Sequence, residues 1–349
     1  MRRSEFTSKR MKTAFLTAIF IAGSVALAAP AMMKAIVAHE YGGPEVLKLE
    51  DVAVPAPKDD EMLIKVVAAG VNSFDGTLLL GRYAKKPNEP NGTELPWHPG
   101  YDIAGVVEKV GAKVTKFKVG DAIYAMIPIL KGGGYAEYAL AREKDAALKP
   151  AKINFVEAAG APSVALTAWQ AVMDKANVQS GQNVLIHGAS GGVGMFAIPF
   201  AKIRDAKVFA TASTANQDFL KQLGADVPID YKTQKFEDIA KDVDVVIDGV
   251  GGETLKRSYP IIKKGGIVVS LSDNVDQAQL EKYGIRGMTI IVQNSGDELA
   301  QIAKLIDEGK IKVTVSETFP LAEASKAQSK ADTGHARGKI VLKVSEETK

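Results

Sequence analysis

The sequence predicts an α/β protein in which a partly open β-barrel is followed by a doubly wound parallel sheet. Short β-branched runs between Gly- and Pro-rich turns continue to about Leu148, which is typical of a barrel. After Asn154, apolar strands alternate with helical segments, which is typical of a parallel sheet covered on both faces. A chain of 349 residues, 46% of them hydrophobic, is long enough for two domains with separate cores.

The predicted elements follow one another in a simple order. The barrel strands are the runs 35–40, 45–52, 61–71, 102–111, 120–127 and 132–140. The parallel strands lie near 183–187, 207–211, 244–248 and 266–271, and helical spacing covers 155–176, 191–204, 216–225 and 298–310. The runs 312–320 and 338–344 return to β character at the C-terminus.

Residues 1–31 have the pattern of a secretory signal peptide. Five basic residues and one acidic residue precede an uncharged apolar run, Thr13 to Ala29, which ends in small residues that fit a cleavage site. The run is short for a membrane span, so a permanent anchor is the less favoured alternative. We therefore expect an exported protein, periplasmic or secreted, with no stable membrane span after cleavage. If the true start is Met33, the protein is instead cytoplasmic.

Composition excludes several kinds of site. The chain has no Cys, so disulfides, thiolate nucleophiles, iron–sulfur clusters and zinc sites that need sulfur cannot form. Its net charge of +3 comes from the leader, which carries +4 by itself, so the rest of the chain is nearly neutral. The absence of a basic stripe in the sequence disfavours a nucleic-acid partner.

The strongest motif is the segment Ile186 to Gly194, IHGASGGVG, which follows a predicted buried strand and opens a predicted helix. In this context a glycine pattern is a dinucleotide fingerprint, because a helix N-terminus offers free N–H groups and a positive dipole end to a pyrophosphate. Gly191 lets the backbone approach the pyrophosphate, and Gly194 lets the helix pack on the strand. Ala189 occupies the first Gly position of the usual G-x-G-x-x-G pattern, so the fingerprint is a variant.

The turn after the second parallel strand indicates which cofactor is bound. NAD sites commonly place an acid there to hold the ribose hydroxyls. The segment 210–216, ATASTAN, offers hydroxyls and has no acid before Asp218, which favours NADP. The Lys or Arg that a 2′-phosphate would need is missing from the turn, although Arg204, Lys221 and Lys232 are near it in the sequence.

Nine segments of the sequence occur in the same order as in a known protein family. They are AAGVNSFD (68–75), HPGYDIAGVV (98–107), VGDAIYA (119–125), GGGYAEYA (132–139), LTAWQAV (166–172), VLIHGASGGVG (184–194), LGADVPIDY (223–231), VGGETL (250–255) and GHARGKIVL (334–342). On these segments the chain, from Met33 to Val344, resembles the medium-chain dehydrogenase/reductase superfamily, and within it the zinc-independent quinone oxidoreductase or zeta-crystallin-like branch. The resemblance implies a GroES-like catalytic domain (32–155 and 303–345), an inserted Rossmann NADP-binding domain (156–302) and a homodimer.

The zinc alcohol dehydrogenases of the same superfamily differ from this chain at their metal ligands. They carry a metal-binding Cys where this chain has Asn72, and Gly-His-Glu where it has Gly100-Tyr101-Asp102. With Tyr101 at the ligand position and no Cys, the resemblance implies that neither zinc site can be assembled, so no metal is expected.

A site without a Lewis acid favours an acceptor that is already electrophilic, a quinone or an α,β-unsaturated carbonyl, because nothing would stabilise an alkoxide. The resemblance places Asn72, Asp75 and Tyr83 in the substrate cleft. Asn72 would donate to the acceptor oxygen or hold the nicotinamide carboxamide, Tyr83 would donate a hydrogen bond or proton, and Asp75 would orient its neighbours. Alternatively, Asn72 and Asp75 only cap the start of the helical run 77–83, and Tyr83 is a packed aromatic residue.

The resemblance also implies a set of cofactor-binding residues. They are Thr167 at the nicotinamide, Ser190, Gly191, Gly192, Val193 and Gly194 at the pyrophosphate, Ser213, Thr214 and Tyr231 at the 2′-phosphate, Val250 and Gly251 at the ribose, Leu271 and Ser272 at the end of a later strand, and Lys339 from the catalytic domain. For Lys339 the alternative is a surface lysine. The sequence thus predicts an NADPH-dependent reductase of quinones or enones. The alternatives are a non-catalytic, crystallin-like NADPH-binding protein and an enoyl-thioester reductase.

Overall fold

The computed structural model describes residues 31–87, 89 and 91–346. The predicted signal peptide, as far as residue 30, lies outside these residues. None of the helices found in the described ranges has both the length and the apolar character needed to cross a membrane.

The first part of the chain forms a mainly antiparallel sheet around one long strand. Its strands are β1 (Met32–Val37), β2 (Lys48–Ala53), β3 (Glu61–Val71), β4 (Asp102–Val110), β5 (Ala122–Met126), β6 (Tyr138–Arg142) and β7 (Ala146–Leu148). β3 pairs with β4 and β6, and β5 and β7 continue the sheet beyond β4. β1 and β2 form a separate ribbon. The sheet does not close on itself, so the prediction of a partly open barrel is confirmed.

The second part of the chain forms a six-stranded parallel sheet. Its strands are β8 (Asn183–His187), β9 (Lys207–Ala212), β10 (Val227–Asp230), β11 (Val243–Asp248), β12 (Ile262–Ser270) and β13 (Arg286–Thr289). They lie in the order β10-β9-β8-β11-β12-β13, and every pair is parallel. This is the doubly wound Rossmann order, in which the direction of winding reverses between β8 and β11. Dinucleotides bind at that reversal, outside the carboxyl ends of the strands.

The helices have 4 to 12 residues, and several of them differ from the prediction. They are α1 (Ser73–Leu79), α2 (Phe155–Ala159), α3 (Pro162–Trp169), α4 (Gly192–Ile203), α5 (Gln217–Gln222), α6 (Phe236–Ile239), α7 (Gly252–Ser258), α8 (Gln277–Tyr283), α9 (Gly296–Asp307) and α10 (Ala324–Asp332). The predicted stretch 155–176 is divided into α2, α3 and a π-helical turn, because Gly160 ends α2 and Pro162 starts α3. α1 begins at Ser73, earlier than the predicted run 77–83.

The end of the chain returns to the first sheet. β14 (Val315–Pro320) runs parallel to β15 (Lys339–Lys343), and β15 pairs antiparallel with β3. The parallel-sheet domain is therefore inserted into the GroES-like domain, as the resemblance implied. At the junction the Gly338 N–H donates to the Ser190 carbonyl (2.9 Å). One hydrophobic core cluster continues through both domains and contains, for example, Ile103 and Val184.

Candidate active site

The glycine loop joins the end of β8 to the start of α4. Gly188 has φ +66°, a left-handed conformation that favours glycine. A Cβ on Gly194 would lie 2.3 Å from the Ala189 carbonyl oxygen, so only glycine lets α4 lie against the loop. At Gly191 the nearest atom to such a Cβ is 3.4 Å away, which leaves that face of the loop open. The open loop and the free N–H groups of the twelve-residue helix α4 fit the pyrophosphate of a dinucleotide.

The loop after β11 lies beside the glycine loop and is fixed by Asp248. This buried carboxylate accepts bonds from the backbone N–H groups of Val250 (3.2 Å) and Gly251 (3.1 Å) and from the Ser270 hydroxyl (3.3 Å). Its pKa is raised by burial. Val250 is 53% exposed although it is apolar, and a Cβ on Gly188 would lie 3.5 Å from its side chain. Asp248 is not among the residues predicted from the sequence, although an acid that ends a buried strand is a signal that could have identified it.

The loop after β12 extends the same edge of the parallel sheet. The Leu271 N–H donates to the Asp248 carbonyl (2.8 Å), and the Ser272 N–H donates to the Ser270 hydroxyl (3.4 Å). Leu271 is half-buried and Ser272 is exposed. These two predicted residues therefore lie in the loop next to the one that holds Val250 and Gly251.

The turn after β9 is tied to the glycine loop. The Asn216 side-chain amide donates to the hydroxyls of Ser190 (3.2 Å) and Ser213 (3.3 Å). The Thr214 hydroxyl donates to Asp230 (2.6 Å), so it is already engaged inside the protein. Tyr231, which is 52% exposed, follows β10 at the same edge of the sheet. Ser213 and Tyr231 thus lie in neighbouring loops, as the 2′-phosphate prediction requires.

A cation from the C-terminal return reaches this turn. Arg337 donates from Nε to the Asn216 side-chain oxygen (2.9 Å) and from Nη2 to the Ala215 carbonyl (2.9 Å). Its guanidinium also lies over the Phe219 ring, 5.5 Å from the centroid. Arg337 supplies the positive charge that the turn itself lacks. Arg337 is not among the residues predicted from the sequence because it lies 121 residues from Asn216, although the segment GHARGKIVL contains it.

The side chain of Asn72, which precedes α1, is held at both ends. Its Oδ1 accepts a bond from Lys339 Nζ (2.6 Å) and lies 3.2 Å from Ser163 Oγ, and its Nδ2 donates to Asp102 Oδ2 (3.0 Å). Its backbone carbonyl accepts a bond from Gln328 (3.0 Å). Asn72 is only 8% exposed, so its amide belongs to a buried polar network.

Lys339 and Asp102 are the charged pair of this network. Lys339 Nζ donates to the Val71 carbonyl (2.7 Å) and lies 3.6 Å from Asp102 Oδ2. Burial lowers the pKa of Lys339 and raises the pKa of Asp102. Ser163 donates to the Asp102 carboxylate through both its hydroxyl (2.5 Å) and its backbone N–H (2.8 Å). The predicted Thr167 is half-buried one helical turn further on, and its hydroxyl donates to the Ser163 carbonyl (2.7 Å).

Asp75 and Tyr83 are placed differently from Asn72. Asp75 is fully buried and accepts bonds from the Tyr135 hydroxyl (3.0 Å), the Gly100 N–H (3.2 Å) and the Asn72 N–H (3.2 Å). Burial raises the pKa of Asp75 to about 7. Tyr83 is 45% exposed, its ring packs on Phe74 (5.2 Å between centroids), and its hydroxyl bonds to no other described residue. Asp75 thus caps α1, as in the alternative prediction, and its bonds also position two neighbours.

The described residues include no group of three or more His, Cys, Asp or Glu side chains that could hold a metal ion. Tyr101, which stands at the position of a metal ligand in the zinc enzymes, is 4% exposed. Its phenol lies near Asp75 and Asp102, and burial raises its pKa well above the usual value. A neutral phenol therefore occupies this position.

Comparisons with known proteins agree with this architecture. Residues 58–151 match the family described as "Alcohol dehydrogenase GroES-like domain", and residues 223–342 match "Zinc-binding dehydrogenase". The chain is 39% identical over 331 residues to the 2-methylene-furan-3-one reductase of Solanum lycopersicum, covering 91% of this chain and 81% of that protein.

Two further relatives support the same relationship. The chloroplastic NADPH-dependent alkenal/one oxidoreductase of Arabidopsis thaliana is 39% identical over 324 residues, covering 90% of this chain and 80% of that protein. The structure of the quinone oxidoreductase from Coxiella burnetii superposes with a TM-score of 0.82 at 36% identity and covers 90% of this chain and 100% of that one.

Proposed function

The chain belongs to the medium-chain dehydrogenase/reductase superfamily, in its quinone oxidoreductase branch, and we propose that it reduces quinones or α,β-unsaturated carbonyls with NADPH and without zinc. The named activities of the relatives, alkenal/one and quinone reduction, both use an acceptor that is already electrophilic. An enoyl thioester has the same chemistry, and only the shape of the cleft would separate it from an enone.

One observation carries the proposal: two consecutive residues at the start of β15 connect the glycine loop to the candidate acceptor-binding residue. Gly338 donates to Ser190 in the glycine loop, and the next residue, Lys339, donates to Asn72 in the catalytic domain. A dinucleotide on the glycine loop would thus lie next to the polar network that contains Asn72. This proximity is what a hydride-transfer site needs.

The residues of the chain would orient the reactants and stabilise charge. A bound NADPH would supply a hydride to a carbon atom of the acceptor. An N–H of Asn72 would stabilise the negative charge on the acceptor oxygen. Thr167 and Val250 would border the nicotinamide end of the cofactor. Tyr83 is exposed and its hydroxyl bonds to no other described residue, so it would supply a proton or hydrogen bond to the product.

The absence of zinc is proposed from the chemistry of the available side chains. The chain lacks Cys entirely, and a buried, neutral Tyr101 stands where the zinc enzymes have a ligand. Asn72, at the position of their Cys, is engaged in hydrogen bonds to Lys339 and Asp102. A purified protein with less than a tenth of an equivalent of zinc and full activity would support this proposal. Loss of activity on treatment with a chelator would refute it.

The reaction is tested by mixing the purified protein with NADPH and a panel of quinones and 2-alkenals. We expect acceptor-dependent loss of the nicotinamide absorbance with at least one acceptor of either class. A protein that binds NADPH but oxidises it with none of them would refute the proposal and would favour the non-catalytic alternative.

Arg337 is expected to determine the preference for NADPH over NADH. We expect Arg337→Ala to raise KM for NADPH about tenfold or more, because a charge-assisted contact to the 2′-phosphate is lost. KM for NADH should change little. Lys221→Ala is the matched control, since Lys221 is near the turn in sequence but is exposed and paired with Asp218. Equal losses with the two cofactors would show that Arg337 only stabilises the turn.

The homodimer remains a proposal, and the edge of the parallel sheet is the candidate interface. β13 is the last strand of that sheet, and no other described strand pairs with its outer edge. Ile291, just after β13, is 77% exposed although it is apolar. Sedimentation of the purified protein at micromolar concentration should give the mass of two chains. A single-chain mass would contradict the proposal.

Export is likewise proposed from the sequence of residues 1–31. The basic start, apolar run and small-residue end of this segment support a cleaved leader. N-terminal sequencing of the natively expressed protein should find a start close to residue 30. A start at Met1 or Met33 would contradict export.

A further inference from the structure

The amide of Asn72 has only one orientation that its neighbours permit. Lys339 has only donors, so the atom 2.6 Å from its Nζ must be the amide oxygen. The Asp102 carboxylate accepts two bonds from Ser163, so the atom 3.0 Å from its Oδ2 must be the amide nitrogen. A flip of the amide would bring two donors together at Lys339 and two acceptors together at Asp102.

This orientation leaves one N–H of Asn72 available. The amide nitrogen carries two hydrogens, and in the described part of the chain it donates only to Asp102. The oxygen accepts a bond from Lys339, and Ser163 Oγ lies 3.2 Å from it. Asn72 is 8% exposed and therefore has one N–H left to offer a ligand, while Lys339 and Ser163 Oγ lie against its oxygen.

Lys339 is fixed more firmly than an ordinary lysine. It is 4% exposed, and its ammonium donates to the Val71 carbonyl as well as to Asn72. Its stem passes the glycine loop closely, because a Cβ on Gly192 would lie 3.1 Å from Lys339 Cδ. The preceding residue, Gly338, is bonded to Ser190. The ammonium thus has little freedom to turn away from Asn72.

We propose that Lys339 is a positioning residue that locks the Asn72 amide with one N–H directed to the carbonyl oxygen of the acceptor. The proposal rests on the quinone or enone reduction proposed above. In it, a neutral N–H donor recognises the acceptor oxygen, and a buried ammonium–carboxylate pair orients that donor. Lys339 then acts on the acceptor side of the site through Asn72. The sequence-based prediction had instead placed it in contact with the cofactor.

The test compares variants that remove the Lys339 contact to Asn72 with a control variant at another lysine of β15. Lys339→Met leaves Asp102 buried without its partner and is at risk of not folding. The double variant Lys339→Met/Asp102→Asn removes both charges and keeps a polar group at position 102. Lys343→Met is the matched control, because Lys343 lies on β15 but is half-exposed and paired with Glu346. The readouts are the dissociation constant of NADPH, from its fluorescence, and kcat and KM for one fixed enone.

We expect the double variant to bind NADPH within about threefold of the wild-type value and to lose about 30-fold in kcat, because the donor is no longer held in place. Adding Asn72→Ala to the double variant should lower kcat by less than about a further twofold, since both changes remove the same interaction. Equal effects of Asn72→Ala in both backgrounds would overturn the proposal. A tenfold rise in the dissociation constant with kcat unchanged at saturation would identify Lys339 as a cofactor ligand instead.

A spectroscopic readout tests the lock without turnover. In protein labelled with ¹⁵N-asparagine, the side-chain N–H pair of Asn72, assigned by its loss in Asn72→Ala, should exchange slowly with solvent. The double variant should exchange at least tenfold faster, and Lys343→Met should not. Unchanged exchange in the double variant would overturn the positioning role even if no acceptor is turned over, whereas a wild-type protein inert to every acceptor would refute only the proposed reaction.

Discussion

Gly194→Ala should weaken NADPH binding by about 100-fold or more and lower the free energy of unfolding by about 2 kcal/mol. The new methyl group would lie 2.3 Å from the Ala189 carbonyl oxygen and 2.5 Å from the Ala189 Cα. These are backbone atoms of the glycine loop, so no side chain can rotate to relieve the clash. Either α4 moves away from β8 or the loop is displaced, and both changes remove the N–H groups that would bind the pyrophosphate.

Gly309→Ala is the matched control for this prediction. Gly309 has φ +75° but no atom within 4 Å of a new Cβ, so alanine there brings backbone strain without a clash. We expect a loss of about 1 kcal/mol in stability and no change in NADPH affinity. Affinity would be followed by the quenching of protein fluorescence and stability by chemical denaturation. If Gly194→Ala binds NADPH like the wild type, this loop does not bind the cofactor.

The strands that could be predicted from the sequence are those whose burial is continuous. β8 and β11 are runs of Val, Leu and Ile enclosed on both faces, and their predicted bounds agree with the structure within one residue. β10 (Val227–Asp230) was missed because it has four residues and contains Pro228, which reads as a break in a strand. The start of α1 was placed too late because Asp75 and Gly76 separate Phe74 from the apolar run that marks the helix.

In the candidate site, too, the contiguous motif could be predicted from the sequence, whereas contacts between residues far apart in the sequence could not. The glycine loop is contiguous, and its motif could be recognised without knowledge of the fold. The partners of Asn72 could not, because Ser163 and Lys339 are 91 and 267 residues away. The contact of Lys339 depends on the pairing of β15 with β3, which sets Ile340 opposite Val71. Sequence spacing does not determine that register, so the network around Asn72 needed the three-dimensional structure.

Asp75 should make the protein less stable as the pH rises from about 4 to about 7. Its pKa is raised from the ordinary 3.8 to about 7, chiefly by burial. In this window the unfolded chain has lost the proton and the folded protein still holds it, so raising the pH favours the unfolded state. The shift corresponds to a total loss of about 4 kcal/mol, complete near pH 7, because each pKa unit is worth about 1.4 kcal/mol. Above that pH, Asp75 should add no further dependence.

Asp75→Asn isolates this contribution, because the new amide cannot ionise. The other titrating groups are the same in variant and wild type, so their contributions cancel in the difference. The difference in unfolding free energy between variant and wild type should therefore move in favour of the variant between pH 5 and pH 8. Asp121→Asn is the control whose difference should stay flat between pH 5 and pH 8, since a bond from the Lys118 N–H lowers the pKa of Asp121 below the ordinary 3.8, and the carboxylate is ionised in both the folded and the unfolded state throughout this window. Chemical denaturation at four pH values measures both differences. A flat difference for Asp75→Asn would mean that the buried carboxylate is ionised throughout, and the bonds from Tyr135 and Gly100 would then outweigh its desolvation.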